Sequence, residues 1–247
     1  KQLYYKQKQV ADNLERIGKV ELPALQPIIP SEDRQYYRNK LEYTFAETRW
    51  LSADEIDQSG EINDRRALGF HIPGKFDRIL NIDTCYLQDD RSNTIRNRIR
   101  EYTLQNGYSY FHPRTHLGLM RNLIIRNTLS GEWMVVVVFH DDDPEKIVPL
   151  MEFIRQEFPF LTSLNYLINP KLNDTIHDLE VQVYSGRDHI IEEMNGLQFK
   201  IGPKSFFQTN TRQALALYRT ALEYAAPEIS DTVYDLYTGT GTIANYV

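Results

Sequence analysis

Cysteine is almost missing from this chain. Cys85 is the only one in 247 residues, which excludes an internal disulfide and suits a reducing cytoplasm. No apolar run approaches the roughly 20 residues of a membrane span, and no cationic stretch followed by an apolar one opens the chain, so no membrane partner is expected. Repeats and low-complexity segments are absent as well. Positive charge is scarce: 28 lysines and arginines face 34 acidic residues, a net charge of −6, which at first argues against nucleic acid. The 41% apolar and 25% charged residues are those of a soluble globular protein with a sizeable core.

The distribution of charge changes the first impression. Between Arg91 and Arg126 stand seven arginines, at 91, 96, 98, 100, 114, 121 and 126, no lysine, and only Glu101 against them. The offsetting acid gathers elsewhere, at Asp141-Asp142-Asp143, Glu145, Asp174, Asp178, Glu180, Glu192 and Glu193. Attraction is local and screened beyond roughly 10 Å at 0.1 M salt, so a basic patch on an acidic protein can hold phosphates.

Periodicity predicts a helix over Lys6 to Ile17, from Val10, Leu14 and Ile17, then a proline-rich linker from Leu22 to Pro30. Alternation predicts a strand over Arg38 to Phe45, and the residues from Ser52 to Asp64 read as a polar, mobile loop. Strands at Ala67–Ile72 and Arg78–Ile82 join at Pro73-Gly74. Asn93 to Gln105 reads as a helix with Ile95 and Ile99 inward and its arginines largely outward. Arg121–Asn127 and Glu132–His140 form a hairpin around Ser130-Gly131. Pro144 to Phe158 is helical, with Pro149 as a kink or delayed start. Strands follow at Ser163–Ile168, Leu179–Tyr184 and Leu197–Ile201, then a helix over Thr211–Ala226 capped by Thr209 or Asn210. Together these predict an α+β central domain with a mainly antiparallel sheet and helices on one face.

The end of the chain, Thr232-Val-Tyr-Asp-Leu-Tyr-Thr-Gly-Thr-Gly-Thr-Ile-Ala244, reads differently. Val233 and Leu236 predict a short buried strand, Gly239 and Gly241 a tight turn, and Thr242 the start of a helix: the opening of a nucleotide-binding α/β domain. The spacing Gly239-x-Gly241-x-x-Ala244 also fits a dinucleotide loop. Asp235 turns the reading toward S-adenosylmethionine, because a carboxylate at the loop entrance repels a pyrophosphate but suits sulfonium and ammonium groups. An oxidoreductase and an ordinary strand–turn–helix remain open on these residues alone. The chain begins at Lys1 inside a helical pattern and stops three residues after the loop, and so reads as a piece of a longer protein.

Lys200-Ile-Gly-Pro-Lys-Ser-Phe-Phe-Gln-Thr-Asn210, followed by a helix and then Asp235-Leu-Tyr-Thr-Gly-Thr-Gly241, resembles the RNA uracil-5-methyltransferases, which include 23S ribosomal RNA enzymes and the tRNA T-loop enzyme. Tyr37-Arg-Asn-Lys40, Ala67-Leu-Gly-Phe-His71 and His116-Leu-Gly-Leu-Met-Arg-Asn-Leu-Ile-Ile-Arg126 agree with it. The resemblance implies three parts: an N-terminal helix and linker over 1–30, a central RNA-binding α+β domain over 31–195, and over 196–247 the truncated start of a Rossmann-like methyltransferase domain. It implies S-adenosylmethionine as cofactor and structured RNA, 23S ribosomal RNA, as partner. The alternatives are a tRNA substrate or a non-catalytic RNA-binding fragment.

Carried over residue by residue, the resemblance implies that Gln208 contacts the cofactor from the strap leading into the catalytic domain, an amide being able to donate to a carboxylate and accept from an ammonium. It places Tyr237 in the cofactor pocket with Asp235, Gly239 and Gly241, and puts Thr242 where some relatives have a cofactor-binding asparagine. Thr238 departs from the cysteine common there. The family's nucleophilic cysteine, which attacks C6 of the uracil, is expected downstream of the loop, so no catalytic residue is assigned here. Cys85 instead resembles the fourth ligand of a four-iron cluster in the intact protein, its three companions preceding Lys1. One thiolate cannot hold such a cluster, so no metal is expected in this chain. Arg96, Arg98, Arg100, Arg121 and Arg126, with Arg38 and Lys40, are expected to contact RNA phosphates, and Tyr108, Tyr110 and Phe111 to be near enough to stack on bases. His112 and His116 have metal-like spacing but no third ligand in view, so no zinc site is assigned.

Overall fold

A computed structural model describes residues 1–51, 55–56 and 64–246. Most of the polar loop expected over 52–64 lies outside the described residues. The chain divides into two compact units, Lys1–Arg34 and Gln35–Val247.

The first unit is a helix followed by irregular chain. Helix α1 spans Gln2–Asp12 and runs into a π-helical turn over Asn13–Ile17, so the helix starts four residues earlier than its apolar spacing indicates. Val10, Leu14 and Ile17 are all exposed. Lys8 and Asp12, one turn apart, pair at 2.7 Å, and the Gln7 side chain bonds the backbone at Gln26 and Ile28 in the linker.

The second unit is built on one seven-stranded sheet. Its strands are β1 (Lys40–Ala46), β2 (Ala67–Ile72), β3 (Lys75–Asn81), β4 (Met120–Asn127), β5 (Trp133–Phe139), β6 (Ser163–Ile168) and β7 (Gln182–Gly186), in the order β3-β2-β1-β4-β5-β6-β7. Every pairing is antiparallel except β5 with β6. That parallel pair needs a crossover connection, and helix α3 (Pro144–Glu157) supplies it. Pro149 does not break α3. The carbonyl it leaves unpaired belongs to exposed Glu145, where water can satisfy it.

Helix α2 (Arg91–Gln105) and α3 cover one face. Ile95, Ile99, Ile147, Leu150 and Ile154 pack there against Tyr43, Leu123, Ile125, Val135 and Val137. The opposite face is not bare, which corrects the expectation of helices on one side. Strands β8 (Ile190–Met194) and β9 (Leu197–Ile201) form a separate hairpin. With helix α4 (Thr211–Ala225) they bury Ile124, Met134, Val136, Val138 and Leu167. Cover on both sides explains the four consecutive valines, because a strand buried on both faces has no reason to alternate. β8 escaped the sequence reading, and β7 begins at Gln182 rather than Leu179. Asn210 caps α4, its side chain accepting from the Gln213 amide at 3.0 Å.

The chain end also differs from its sequence reading. Residues 233–237 form no strand, and Val233, Tyr234, Leu236 and Tyr237 are exposed rather than buried. A strand is stabilised by ladder bonds to a neighbour, and no described segment pairs with this one. The glycine turn does form: Gly239 and Gly241 have φ of 56° and 77°, and the Gly241 amide bonds the Thr238 carbonyl at 2.7 Å.

Candidate nucleic-acid interface and cofactor loop

The segment from Gly202 to Thr211, between β9 and α4, is fastened to the sheet from two sides. Arg126 of β4 donates from Nη2 to the Ser205 carbonyl at 2.6 Å. Asn39, just before β1, donates from Nδ2 to the Gln208 carbonyl at 2.8 Å and to Thr211 Oγ1 at 2.9 Å. Thr211 Oγ1 in turn donates to Glu192 at 2.9 Å, and the Leu129 amide donates to the same carboxylate at 3.0 Å. Glu192, part of the offsetting acid in the sequence, is fully buried; burial pushes its carboxyl above the usual range.

This strap walls a cavity of about 640 Å³ whose polar lining includes Arg38, Lys40, Arg126 and Lys204. Arg126 is buried without an ion pair among the described residues, and burial pulls its guanidinium down to about 10. Lys40 is also held below its usual range, first by burial and then by the positive Arg126 beside it. Glu42, 3.5 Å from the Lys40 ammonium, is a partial counterweight. Arg38 donates to the Lys40 carbonyl, and Lys204 to the carbonyls of His177 and Leu179. Phe206, on the strap beside them, is 71% exposed. Lys204 and Asn39 belong to motifs quoted above but had drawn no role from sequence. The packing of strap against sheet gives them one.

The other arginines do not join this cluster. Arg96 is fully buried, against the expectation that it faces outward. Its guanidinium donates to Tyr43 Oη, Asn93 Oδ1, the Asp83 carbonyl and Asn97 Oδ1, and lies 5.0 Å from the centre of the Tyr43 ring. Its place was legible: on a helix it shares a face with Ser92, Ile99 and Thr103. Arg121 is buried too. It donates to the carbonyls of Asn169, Lys171 and Asn173 and to Asp174, with Phe111 stacked 4.2 Å away. Both arginines are therefore occupied inside the protein. Arg98 is partly exposed but lies between Glu101 and Glu157, and half-buried Arg100 is 3.5 Å from Asp83. Tyr108, Tyr110 and Phe111 are core residues, not exposed stacking surfaces. Tyr110 is bonded to Thr103 at 2.7 Å and Tyr108 to the Lys146 carbonyl at 2.6 Å.

The glycine loop docks on the strap and on α4. Thr240 donates to the Phe206 carbonyl at 3.4 Å, and Thr242 and Tyr218 share a hydrogen bond of 3.2 Å. Asp235 and Tyr237 line a cavity of about 850 Å³ with Ile229 and Ile243. Asp235 Oδ2 is buried with no hydrogen-bond partner, a costly state for a carboxylate oxygen that a cationic group would relieve. That orphan fits the sulfonium and ammonium of S-adenosylmethionine. Tyr237 is almost fully exposed. Gln208 is half-buried on the strap, its carbonyl held by Asn39.

Cys85 is buried in the core on the helix-covered face, its amide bonded to Asn93 Oδ1 at 2.8 Å. Among the described residues no three His, Cys, Asp or Glu side chains meet as metal ligands would. A lone thiolate does not fit a four-iron cluster, and no chemistry is assigned to one. Among the described residues, no helix is long and apolar enough to cross a membrane.

Compared with known proteins, the chain matches no family model. A Bacteroides thetaiotaomicron protein described as an uncharacterized RNA methyltransferase is 54% identical over 249 residues, covering 100% of this chain and 55% of that protein. A Porphyromonas gingivalis protein with the same description is 53% identical over 253 residues (100% and 54%), and one from Chlorobaculum tepidum is 37% identical over 250 residues (100% and 52%). The chain thus spans about half the length of these relatives. In fold it is similar to the Pyrococcus abyssi tRNA (uracil-54, C5)-methyltransferase, solved with S-adenosyl-L-homocysteine, with a TM-score of 0.69 and 22% identity over 99% of this chain and 52% of that one. From end to end the chain is therefore similar in sequence to about half of each of these proteins described as RNA methyltransferases, and in fold to about half of the tRNA enzyme, which is consistent with the resemblance its motifs carry to the RNA uracil-5-methyltransferases.

Proposed function

We propose that this chain is part of an S-adenosylmethionine-dependent enzyme that methylates C5 of a uracil in structured RNA, with 23S ribosomal RNA as substrate. The observation that carries the reading is the cationic pocket at the strap. Arg126 is held buried without an ion pair among the described residues, beside a Lys40 whose charge it disfavours. Such charges, kept together and offset only in part by Glu42, suit an arriving anion, and RNA supplies phosphates. Exposed Phe206 at the same place offers a stacking surface to a base that has left its helix.

The cofactor, when bound, supplies an electrophilic methyl group. Asp235 would face its positive end, Gly239 and Gly241 would let the backbone approach, and Tyr237, Thr242 and Gln208 would complete the contacts. The family resemblance implies a cysteine adduct at C6 of the uracil. Cys85, enclosed in the core on the helix-covered face, is not that nucleophile. A tRNA substrate is the second reading, favoured by the substrate in the name of the similar structure.

The test incubates the full-length protein with labelled S-adenosylmethionine and, separately, 23S ribosomal RNA and tRNA, then analyses the nucleosides. Label in 5-methyluridine from ribosomal RNA supports the first reading, and from tRNA alone the second. Label in another nucleoside, or in none, overturns both.

A further inference from the structure

The strap cavity is not the only opening on its side of the sheet. Strand alternation puts Lys40, Glu42 and Thr44 on the face that also carries Asn122, Ile124 and Arg126. The layer of β8, β9 and α4 covers that face over β4 to β6, and no residue of β1 to β3 belongs to its core. Over β1 and β2 the face is polar: Glu42 and His71 are exposed, and His71 meets Thr44 at 3.3 Å. A second cavity of about 200 Å³ opens there, and it shares Asp174 with the strap cavity. One wall of both is thus the segment that Arg121 fastens.

The second cavity has a different character from the first. His71, Phe76 and Phe111 supply rings, and Asp77 and Asp174 supply carboxylates, with the Arg121 guanidinium paired to Asp174 in the same wall. Its volume lies below the roughly 300–1,000 Å³ of ordinary small-molecule sites and well above the ~30 Å³ share of one water, which suits a single flat ring system. Phe76 is 62% exposed, yet it does not stand alone. The Arg114 guanidinium lies 5.2 Å from its ring centre and is itself bonded to Asp77 at 2.7 Å. A large exposed ring braced in this way is a prepared stacking surface, and burial in the core does not account for it.

We propose that this cavity takes an unpaired base of the bound RNA, stacked on Phe76, while the backbone phosphates nearby sit in the strap cavity. The proposal rests on the RNA reading above and adds a position to it. Asp77 and Asp174 offset the charges of Arg114 and Arg121, so this cavity lacks the cationic surplus of the strap cavity that would draw a phosphate. The remaining carboxylate lone pairs can accept from base N–H groups; the base and not the backbone is the occupant. Single strands are commonly held in this manner, by a cationic groove with aromatic platforms along it.

The experiment measures binding of fluorescein-labelled single-stranded RNA nonamers, oligo(U), oligo(A) and oligo(C), to the full chain by anisotropy over a salt series. Phe76→Ala is expected to weaken binding about tenfold with an unchanged salt slope, since no phosphate contact is removed. Phe76→Trp should retain affinity. Lys40→Ala is expected instead to lower the slope by about 0.7. His71→Ala is the second probe of the cavity, with the same expectation as Phe76→Ala. Wild-type affinity in both Phe76→Ala and His71→Ala, or a loss that comes with a changed slope, overturns the base site and leaves the RNA reading standing. No binding by the wild-type chain to any of the three RNAs removes both.

Discussion

Arg121→Met separates a structural arginine from a phosphate-binding one. The guanidinium is about 98% buried and donates to three carbonyls and to Asp174. Bonds from a charged donor are each worth roughly 1.5–3 kcal/mol net, but removing the charge also removes a desolvation penalty of several kcal/mol. The orphans left behind are few. The Asn169 carbonyl keeps the His140 ring and the Asn173 carbonyl keeps Asn169 Nδ2, while the Asp174 side chain is half exposed and returns to water. Only the Lys171 carbonyl loses its partner outright. Methionine fills much of the vacated alkyl volume. The balance is a loss of about 2–4 kcal/mol, which at ~2–4 °C per kcal/mol for a domain of this size lowers Tm by roughly 5–15 °C. Thermal unfolding followed by circular dichroism reads this directly. RNA affinity should fall as the wall around Asp174 loosens, with the salt slope retained. A Tm within about 1 °C of wild type, together with a slope reduced by ~0.7 or more, would refute the clamp and restore Arg121 to the phosphate contacts.

Glu192→Gln tests the buried carboxylate behind the strap. Its folded pKa is raised by burial, so the fold favours the protonated form. The stability it contributes is complete below the unfolded value and is lost as pH rises through the folded one. The variant cannot titrate, so its Tm relative to wild type should be more favourable at pH 8 than at pH 5; a pH-independent difference would contradict the assignment. At Gly69 a Cβ would stand 1.9 Å from the Leu80 carbonyl, whereas at Gly74, despite φ of 74°, it meets nothing within 4 Å. Gly69→Ala is therefore expected to cost about 3 kcal/mol or more by forcing β2 from β3, against about 1–2 kcal/mol for Gly74→Ala. Chemical denaturation showing the reverse order would discount the close approach.

Local elements were legible where one physical signal dominated. Ser163–Ile168 and Leu197–Ile201 match their strands residue for residue, and Ser130-Gly131 marks the β4–β5 turn. β8 was missed because Ile190-Ile-Glu-Glu-Met194 carries Glu192 at an inward position, and a buried glutamate reads as surface until its two donors are known. Residues 233–237 have the composition of a buried strand but no neighbour to pair with among the described residues, and composition alone cannot supply ladder bonds. Among the candidate site residues, Asp235 and the two glycines are proposed from their spacing, and the strap from its motif. The cationic cluster could not, because Arg38, Lys40, Arg126 and Lys204 come from three separate stretches of chain.

The arginine-rich stretch from 91 to 126 shows where the division lies. Its local charge excess follows from the sequence alone, as do the helix and strand that carry it, since charge count and periodicity are properties of neighbours in the chain. Which arginines remain available to a partner was decided by tertiary packing. Tyr43 and the Asp83 carbonyl draw Arg96 inward, and residues 169–174 enclose Arg121. Arg126 alone of the three lines the strap cavity, beside Lys40. A guanidinium goes wherever carbonyls and rings converge on it, and that convergence exists only after strands far apart in sequence have paired.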